Sequence, residues 1–415
     1  MLTDKGRARL ASAALLCAAM ALPGAAAADP ISILFVGNSY TFGRADPVLS
    51  YNAANVRDLT APTQPGFSNT QGSNLYEPHP WGGVPGIFKM LTVQAGLDYD
   101  VALSTRNAAS LRGQYLNTNP VGWDLRGNIA LQRWDRLVLQ ELSDGPLPVG
   151  TTSNARPGSF AMYATQLAEY ARSQSTDRSF TETQLFGSTQ ACRGATGNSA
   201  STCNDTVRNV TGNPNTNPDT QVTLYQTWAR PNLIEGGFRT TTDDITGDVT
   251  RTNTPITGPY PAADGLERMT EDLRAAYAAV LAARPDLFAD IAPVGEAFLA
   301  AVQRGLATRN MFAPDALTDG LIDLWFDDGT HASAWGSYLS ALTIFGTVTG
   351  LDPRMFGMDE QAARDLGITG EEALMLQRIA AAAIGVPAPG AAPLMLVGLL
   401  ALGALRRRKD RRPAA

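Results

Sequence analysis

The chain has 415 residues, of which 44% are hydrophobic, and its formal net charge at pH 7 is −6. This length allows one large domain or two smaller ones, and the acidic balance does not favour nucleic acid or anionic lipid as a partner. Only two histidines occur, so any imidazole that shuttles protons has to be one of them.

The first 28 residues have the layout of a secretory signal peptide. Three basic residues precede an uncharged run, Leu10–Ala28, which is rich in alanine and leucine and closes on three alanines. We therefore predict export, with cleavage after Ala28. An N-terminal membrane anchor is less favoured, because the run has few bulky residues and contains a proline and a glycine.

Residues 29–385 alternate short apolar runs with helical patterns, which is typical of a parallel sheet covered by helices. The predicted strands are Ile31–Val36, Tyr99–Ser104, Arg136–Gln140, Gln221–Gln226 and Ala289–Pro293. The predicted helices are Val84–Ala95, Ser159–Arg172, Gly265–Arg284, Ala332–Val348 and Glu371–Ile384. Five strands are enough for a doubly wound α/β sheet.

Two segments break this rhythm, Gly43–Gly83 and Gly187–Asp219, and both are dense in Asn, Pro, Thr, Gly and Ser. Insertions this long inside a compact domain are uncommon and often functional. We therefore expect them at the C-terminal edge of the sheet, where open α/β sheets bind ligands. The alternative is that these segments are disordered surface loops without a function, above all the second one.

Cys192 and Cys203 lie in the second segment and are the cysteines that remain after signal cleavage. In an oxidising compartment we predict that they form one disulfide that closes this loop. Two cysteines without neighbouring histidines do not indicate a zinc site, and we predict no metal and no other cofactor.

Residues able to carry chemistry follow the first strand and precede a late helix. Residues 37–40 read Gly-Asn-Ser-Tyr, and residues 327–331 read Asp-Asp-Gly-Thr-His. A serine hydroxyl attacks a carbonyl only if a base takes its proton, and that base works best when a carboxylate fixes its tautomer. Because a doubly wound sheet can bring both segments to its C-terminal edge, we predict a catalytic triad of Ser39, His331 and Asp328.

These two segments resemble the first and last sequence blocks of the SGNH (GDSL-type) hydrolases. Residues 37–40 match the first block, Asp328 and His331 match the D-x-x-H block, and residues 332–339 resemble the helix that often follows it. The resemblance covers roughly residues 31–385. It implies a flavodoxin-like three-layer α/β/α fold with a five-stranded parallel sheet and long loop insertions. It also implies metal-independent hydrolysis of acyl esters, commonly O-acetyl groups on carbohydrates.

The middle blocks of that family, which complete its oxyanion hole, are altered in this chain. Family members use the nucleophile's own N–H, a glycine N–H of the second block and an asparagine side chain of the third. Here alanines replace the glycine, so we expect the N–H of Ala108 or Ala109 in its place. The third block has no such asparagine, and Gln140 is the first candidate for the side-chain amide. The candidate donors are therefore Ser39 N–H, Gln140, Asn107 and Ala109.

Several other polar or aromatic residues are weaker candidates. Asp327 is the alternate carboxylate of the triad. His79 is expected to be a loop residue packed beside the neighbouring tryptophan, and Glu141 is expected to form a salt bridge. Trp228 and Arg230 follow the fourth strand, so they face either the cleft or the core.

The C-terminal segment, residues 386–415, is uncharged from Val386 to Leu405 and then carries six basic residues and one acidic residue. Twenty uncharged residues followed by a cluster of basic residues are just long enough to span a bilayer. The segment resembles the PEP-CTERM type of sorting tail of Gram-negative bacteria, with Val-Pro-Ala-Pro in place of its proline-containing motif. The resemblance implies recognition and removal by export machinery. A plain C-terminal membrane anchor is the alternative.

The two ends contribute +2 and +5 to the net charge, which leaves −13 on residues 29–385. We predict an exported serine esterase that acts on acyl esters, with O-acetyl groups of a surface or extracellular polysaccharide as the expected substrate. The expected location is the periplasm, cell surface or extracellular matrix of a Gram-negative bacterium, with membrane contact through the tail. Small acyl esters or lipids are the nearest alternative substrates. A different alternative is a surface-attached glycan-binding or matrix protein on an esterase fold, with weak or no catalysis.

Overall fold

The computed structural model describes residues 29–44, 46–60, 79–117, 123–242, 248–316 and 318–386. The predicted signal segment and almost all of the predicted tail lie outside the described residues. The elements reported below belong to one structural unit that begins at Ile31. Within the part of the chain that is described, no helix has both the length and the apolar composition needed to cross a bilayer.

The described residues form ten strands. They are β1 (Ile31–Gly37), β2 (Arg57–Asp58), β3 (Tyr99–Thr105), β4 (Arg136–Gln140), β5 (Arg178–Thr181), β6 (Val207–Val210), β7 (Gln221–Tyr225), β8 (Phe238–Thr242), β9 (Val249–Pro255) and β10 (Phe288–Ala292). Six of them form a parallel sheet in the order β2-β3-β1-β4-β7-β10. The chain leaves β1 toward β3 on one side and later returns to β4 on the other side. The connections therefore diverge at the C-terminal end of β1, which is where open α/β sheets bind ligands.

The described residues also form thirteen α-helices. They are α1 (Ser39–Phe42), α2 (Gly83–Gln94), α3 (Leu111–Leu116), α4 (Leu125–Ile129), α5 (Pro157–Arg172), α6 (Glu182–Phe186), α7 (Thr189–Thr196), α8 (Ala200–Asp205), α9 (Gly265–Ala283), α10 (Val294–Gln303), α11 (Ala334–Thr349), α12 (Gln361–Asp365) and α13 (Gly370–Ala383). Ile33 and Phe35 of β1 pack into a core with α2, α10, α11 and α13, whereas Leu34 and Val36 face α3, α4 and α5. This alternation explains why β1 reads as a continuous apolar run, because both of its faces are buried.

All five predicted strands lie in the sheet, which confirms the predicted α/β fold with a parallel sheet and helices on both faces. The sixth strand, β2, was not predicted. It consists of Arg57 and Asp58 alone, two polar residues that have no strand pattern and are held by pairing with Ala102 and Leu103 of β3.

The segment Gly187–Asp219 is more regular than the expected loop. It contains α7, α8 and β6, and β6 pairs antiparallel with β5. Its serines cap helices, since Ser188 accepts the N–H of Ala191 and Ser199 accepts the N–H of Thr202. The predicted disulfide between Cys192 and Cys203 is present and joins the two helices, with their Cα atoms 6.2 Å apart.

The described parts of the segment Gly43–Gly83 lie against β3 and α2. Asp58 of β2 accepts the N–H of Trp81 at 2.9 Å, and its carboxylate lies 2.5 Å from Nδ1 of His79. The His79 ring stacks on Trp81 with 3.8 Å between ring centroids. The prediction that His79 packs beside this tryptophan is therefore confirmed.

Candidate active site

The nucleophile candidate lies in a tight turn at the end of β1. Asn38 caps α1 by accepting the N–H of Tyr40 at 3.1 Å, and its amide donates to the carbonyl of Ala109 at 3.1 Å. A Cβ atom on Gly37 would lie 2.4 Å from the side-chain oxygen of Gln140, so a larger residue here would displace that buried side chain. The turn leaves Ser39 as the first residue of α1, at the C-terminal edge of the sheet.

The imidazole candidate lies in a loop directly before α11. Gly329 has a φ of +64°, a backbone conformation that favours glycine, and this turn folds Asp328 back toward His331. Oδ1 of Asp328 accepts the N–H groups of Thr330 and His331 at 2.8 and 2.9 Å. Oδ2 of the same carboxylate lies 2.5 Å from Nδ1 of His331.

The structure brings the two distant segments into direct contact. Nε2 of His331 lies 2.7 Å from Oγ of Ser39, although 292 residues separate them in the chain. The hydroxyl, the imidazole and the carboxylate therefore form one hydrogen-bonded chain, which is the arrangement that activates a serine nucleophile.

Burial and hydrogen bonding act in opposite directions on Asp328. Burial raises the pKa of this carboxyl, but the charge of His331, its hydrogen bond and the two backbone N–H groups outweigh burial and bring the pKa to about 2. The carboxylate is thus ionised at neutral pH. The alternate carboxylate, Asp327, is exposed and lines a separate cavity of about 470 Å³ with Arg251 and Trp325. It does not take the place of Asp328 beside the imidazole.

Thr330 anchors the loop that carries the imidazole. Its carbonyl accepts hydrogen bonds from the hydroxyl of Tyr40 at 2.7 Å and from the indole of Trp228 at 3.0 Å. Its hydroxyl oxygen accepts from Asn232 at 2.7 Å and from Arg230 at 3.3 Å. The rings of Tyr40 and Trp228 stack at 3.9 Å, so the loop is fixed by groups that themselves pack together. Tyr40, Asn232 and Thr330 belong to no sequence pattern that predicts this anchoring role.

A cavity of about 320 Å³ opens beside the hydroxyl and the imidazole. Asn107 and Ala108 line it together with Ser39 and His331, as the expected second block should. Ala108 has a φ of +51°, the left-handed conformation that glycine adopts most readily. The alanine therefore holds a backbone conformation that glycine, the residue it replaces in the sequence pattern, adopts readily.

Two of the expected oxyanion donors are used elsewhere. The side chain of Gln140 is fully buried beneath the nucleophile turn, where its oxygen accepts the N–H of Asn38 at 2.9 Å and the hydroxyl of Thr41 at 3.0 Å. Its amide nitrogen donates to the carbonyl of Glu141. The N–H of Ala109 donates to the carbonyl of Arg106 at 3.2 Å. Local hydrogen bonds thus occupy both groups, and neither Gln140 nor Ala109 is among the residues that line the cavity.

Ser143 is a cavity residue that the sequence analysis missed. It follows β4 by three residues, lines the cavity beside Ser39, and accepts a hydrogen bond from Nη1 of Arg230 at 3.0 Å. The same guanidinium lies 3.5 Å from the carboxylate of Asp144. The available signal was position alone, since residues that follow parallel strands gather at one edge of the sheet. Glu141, expected in a salt bridge, instead accepts the N–H groups of Leu111 and Leu142.

Within the described residues, no cluster of three or more His, Cys, Asp or Glu side chains is arranged to hold a metal ion.

Comparison with known proteins gives matches among solved structures. No family model matches the chain, and no curated protein matches it. A candidate SGNH hydrolase from Slackia heliotrinireducens is 17% identical, with 77% of this chain and 100% of that chain covered and a TM-score of 0.36. A DUF4886 family protein from Bacteroides uniformis is 14% identical, with 86% of this chain and 95% of that chain covered and a TM-score of 0.43. A carbohydrate acetylesterase from Sinorhizobium meliloti is 11% identical, with 77% of this chain and 99% of that chain covered and a TM-score of 0.32.

Proposed function

We propose that residues 29–385 form an SGNH-type serine esterase that hydrolyses acyl esters, with O-acetyl groups of a surface or extracellular polysaccharide as its substrates. The observation that carries this proposal is the hydrogen-bonded chain from Ser39 through His331 to Asp328 at the mouth of a cavity. The carbohydrate part is supported by the sequence resemblance and by the features of the chain ends.

The proposed reaction proceeds in two steps. Oγ of Ser39 forms a bond to the ester carbonyl carbon while Nε2 of His331 takes the hydroxyl proton. The tetrahedral intermediate then collapses, and the alcohol leaves with that proton from the imidazole. In the second step water gives a proton to His331 and attacks the acyl-serine, which releases the carboxylic acid and restores the serine hydroxyl. Asp328 holds the imidazole in the required tautomer and stabilises its charged form.

Three groups are proposed to bind the oxyanion. They are the N–H of Ser39, the N–H of Ala108 and a side-chain donor, for which Asn107 and Ser143 both line the cavity. Ser143 is favoured because it lines the cavity beside Ser39 and Arg230 holds its oxygen in place. Its proton, which interacts with the hydroxyl oxygen of Tyr40 in this structure, would turn to the oxyanion when substrate binds. One such donor contributes about 2.7–4 kcal/mol to transition-state stabilisation.

Export and tail sorting are also proposed, and they rest on the sequence of residues 1–28 and 386–415. In this proposal the folded domain reaches the periplasm, the cell surface or the extracellular matrix. Its tail meets the sorting machinery and contacts the membrane there, at least before it is removed.

A fluorophosphonate probe tests the esterase proposal, because it labels a serine that a neighbouring base activates. We expect the purified protein to be labelled and to hydrolyse p-nitrophenyl acetate, and Ser39→Ala to lose both properties. Ser201→Ala, which alters an exposed serine on α8, is the matched control and should retain both. A folded wild-type protein that neither labels nor releases p-nitrophenol would refute the esterase proposal and favour the glycan-binding alternative.

A further inference from the structure

A second cavity, of about 210 Å³, adjoins the catalytic cavity, and Leu142 and Asn154 line both of them. We call it the arginine recess. Its polar lining includes Ser110, Arg112, Glu141, Asn154, Arg156 and Ser159. The volumes of the two cavities together fall within the roughly 300–1,000 Å³ of small-ligand sites. A substrate bound at Ser39 can therefore extend into the recess.

Positive charge exceeds negative charge around the recess. Arg112 binds the fully buried carboxylate of Glu182 through two hydrogen bonds of 2.7 Å, and Arg208 contacts the same carboxylate at 3.2 Å. One carboxylate thus faces two guanidinium groups. Arg156 donates to the carbonyl of Ala155 at 2.7 Å, and no carboxylate among the described residues pairs with it. Three arginines are consequently balanced by a single ionised acid.

The other acid in the recess does not cancel this charge at neutral pH. Glu141 is only 2% exposed, and burial raises the pKa of its carboxyl to about 8, although the N–H groups of Leu142 and Leu111 partly oppose this effect. Asp144 lines the catalytic cavity, and Arg230 at 3.5 Å offsets its charge.

The first turn of α5 adds to the positive potential. This helix has 16 residues and begins at Pro157, and Ser159 of its first turn lines the recess. The N-terminus of a helix carries a partial positive charge. In α5 the N–H groups of Gly158 and Ser159 have no partner within the helix, whereas Pro157 has no N–H. A guanidinium group and a helix N-terminus are both suited to bind a carboxylate.

We propose that the arginine recess binds an anionic group on the alcohol part of the ester, and that the group is the carboxylate of a uronic acid in an O-acylated glycan. This inference rests on the proposed esterase function and narrows its substrate class. Arg156 is the specificity-determining residue, because its guanidinium has no carboxylate partner in the described part of the chain, whereas Arg112 has one. The acyl group itself stays beside Ser39 and His331, outside the recess.

The first test measures binding without catalysis. Ser39→Ala protein is titrated with trigalacturonate and with neutral xylotriose in a calorimeter at low salt. We expect trigalacturonate to bind at least about tenfold more tightly, since hydrogen bonds to a charged group are the stronger class. We expect this preference to decrease as salt is raised. Equal affinity for the two sugars would overturn the proposal, whatever the outcome of the esterase tests.

The second test measures selectivity. Acetate release is followed from O-acetylated trigalacturonate and from O-acetylated xylotriose, and the ratio of the two kcat/KM values is compared between variants. We expect Arg156→Gln to lower this ratio about tenfold, mainly through KM for the anionic sugar, and Arg156→Lys to preserve most of it. Arg304→Gln removes an equal charge at the end of α10 and should leave the ratio unchanged.

The ratio separates the two proposals from each other. A general loss of activity in Arg156→Gln affects both substrates alike and cancels in the ratio. An unchanged ratio in this variant would refute the assignment of the recess. No acetate release and no fluorophosphonate labelling from the wild type would instead refute the esterase proposal, and the titration would still decide whether the recess binds uronate.

Discussion

The exchange Asp328→Asn removes the negative charge beside the imidazole and keeps the volume of the side chain. The amide retains an oxygen for the N–H groups of Thr330 and His331, which the carboxylate binds at 2.8 and 2.9 Å. It offers no charge to Nδ1 of His331, 2.5 Å away, so it stabilises neither the required tautomer nor the imidazolium. We expect kcat to fall about 10⁴-fold with little change in KM.

The same charge contributes to stability in a way that depends on pH. The pKa of Asp328 is about 2 in the folded protein against an ordinary value of 3.8, and this difference corresponds to about 2 kcal/mol. A lowered pKa stabilises the fold above the pKa of the unfolded chain, and this stabilisation is lost as the pH falls toward 2. The Asp328→Asn variant has no carboxylate at this position and therefore lacks this stabilisation at every pH. The gap in unfolding free energy between wild type and variant should therefore be about 1 kcal/mol smaller at pH 3 than at pH 5.

Two measurements check this prediction, initial rates with p-nitrophenyl acetate and urea unfolding at the two pH values. Asp327→Asn is the matched control, since it makes the same exchange at the adjacent residue, which lines a different cavity. We expect this control to keep kcat within about twofold. The reasoning is refuted if both variants lose activity equally, or if Asp328→Asn retains more than about a tenth of the wild-type kcat.

Three further predictions concern groups around the site and the disulfide. Ser143→Ala should lower kcat about 10²–10³-fold if its hydroxyl binds the oxyanion, and a change below twofold in steady-state rates would exclude that role. Burial raises the pKa of Glu141 from 4.5 to about 8, so its ionisation destabilises the fold as pH rises between these values. Glu141→Gln should therefore gain stability relative to wild type between pH 5 and pH 8 in urea unfolding, and a constant difference would contradict this. Reduction of the bond between Cys192 and Cys203 should cost about 3 kcal/mol in unfolding free energy, and two reactive thiols in the denatured, unreduced protein would show that the bond does not form.

The sheet could be predicted from the sequence because its central strands are buried on both faces. Leu34 and Phe35 point to opposite sides of β1 and are both fully buried, so the strand appears as an unbroken apolar run. β2 has no such pattern, since Arg57 and Asp58 join the sheet only by pairing with β3. The segment Gly187–Asp219 was interpreted as a loop because serine and threonine are frequent in loops, and here several of them cap helices.

The placement of the triad residues could also be expected from the sequence, but the surrounding donors could not. Ser39 and His331 follow from the residue types and from the edge at which parallel strands end. The side chain of Gln140 was expected in the cavity, yet the small turn at Gly37 leaves room beneath it, and the backbone N–H of Asn38 takes the amide oxygen. Competition of this kind between backbone and cavity depends on distances of a few tenths of an ångström, which residue order does not encode.

The elements outside the central sheet have different relations to the proposed chemistry. The hairpin of β8 and β9 supports the triad, since Thr240 donates to the carbonyl of Asp328 at 2.8 Å. The first of the two disulfide-linked helices instead borders the arginine recess, which Thr196 at the end of α7 lines. Changes in the hairpin should therefore act mainly on kcat through the position of Asp328, whereas changes in α7 should act mainly on KM for anionic substrates. This division of effects follows from the contacts of each element, since the hairpin holds Asp328 through Thr240 and α7 lines the recess through Thr196.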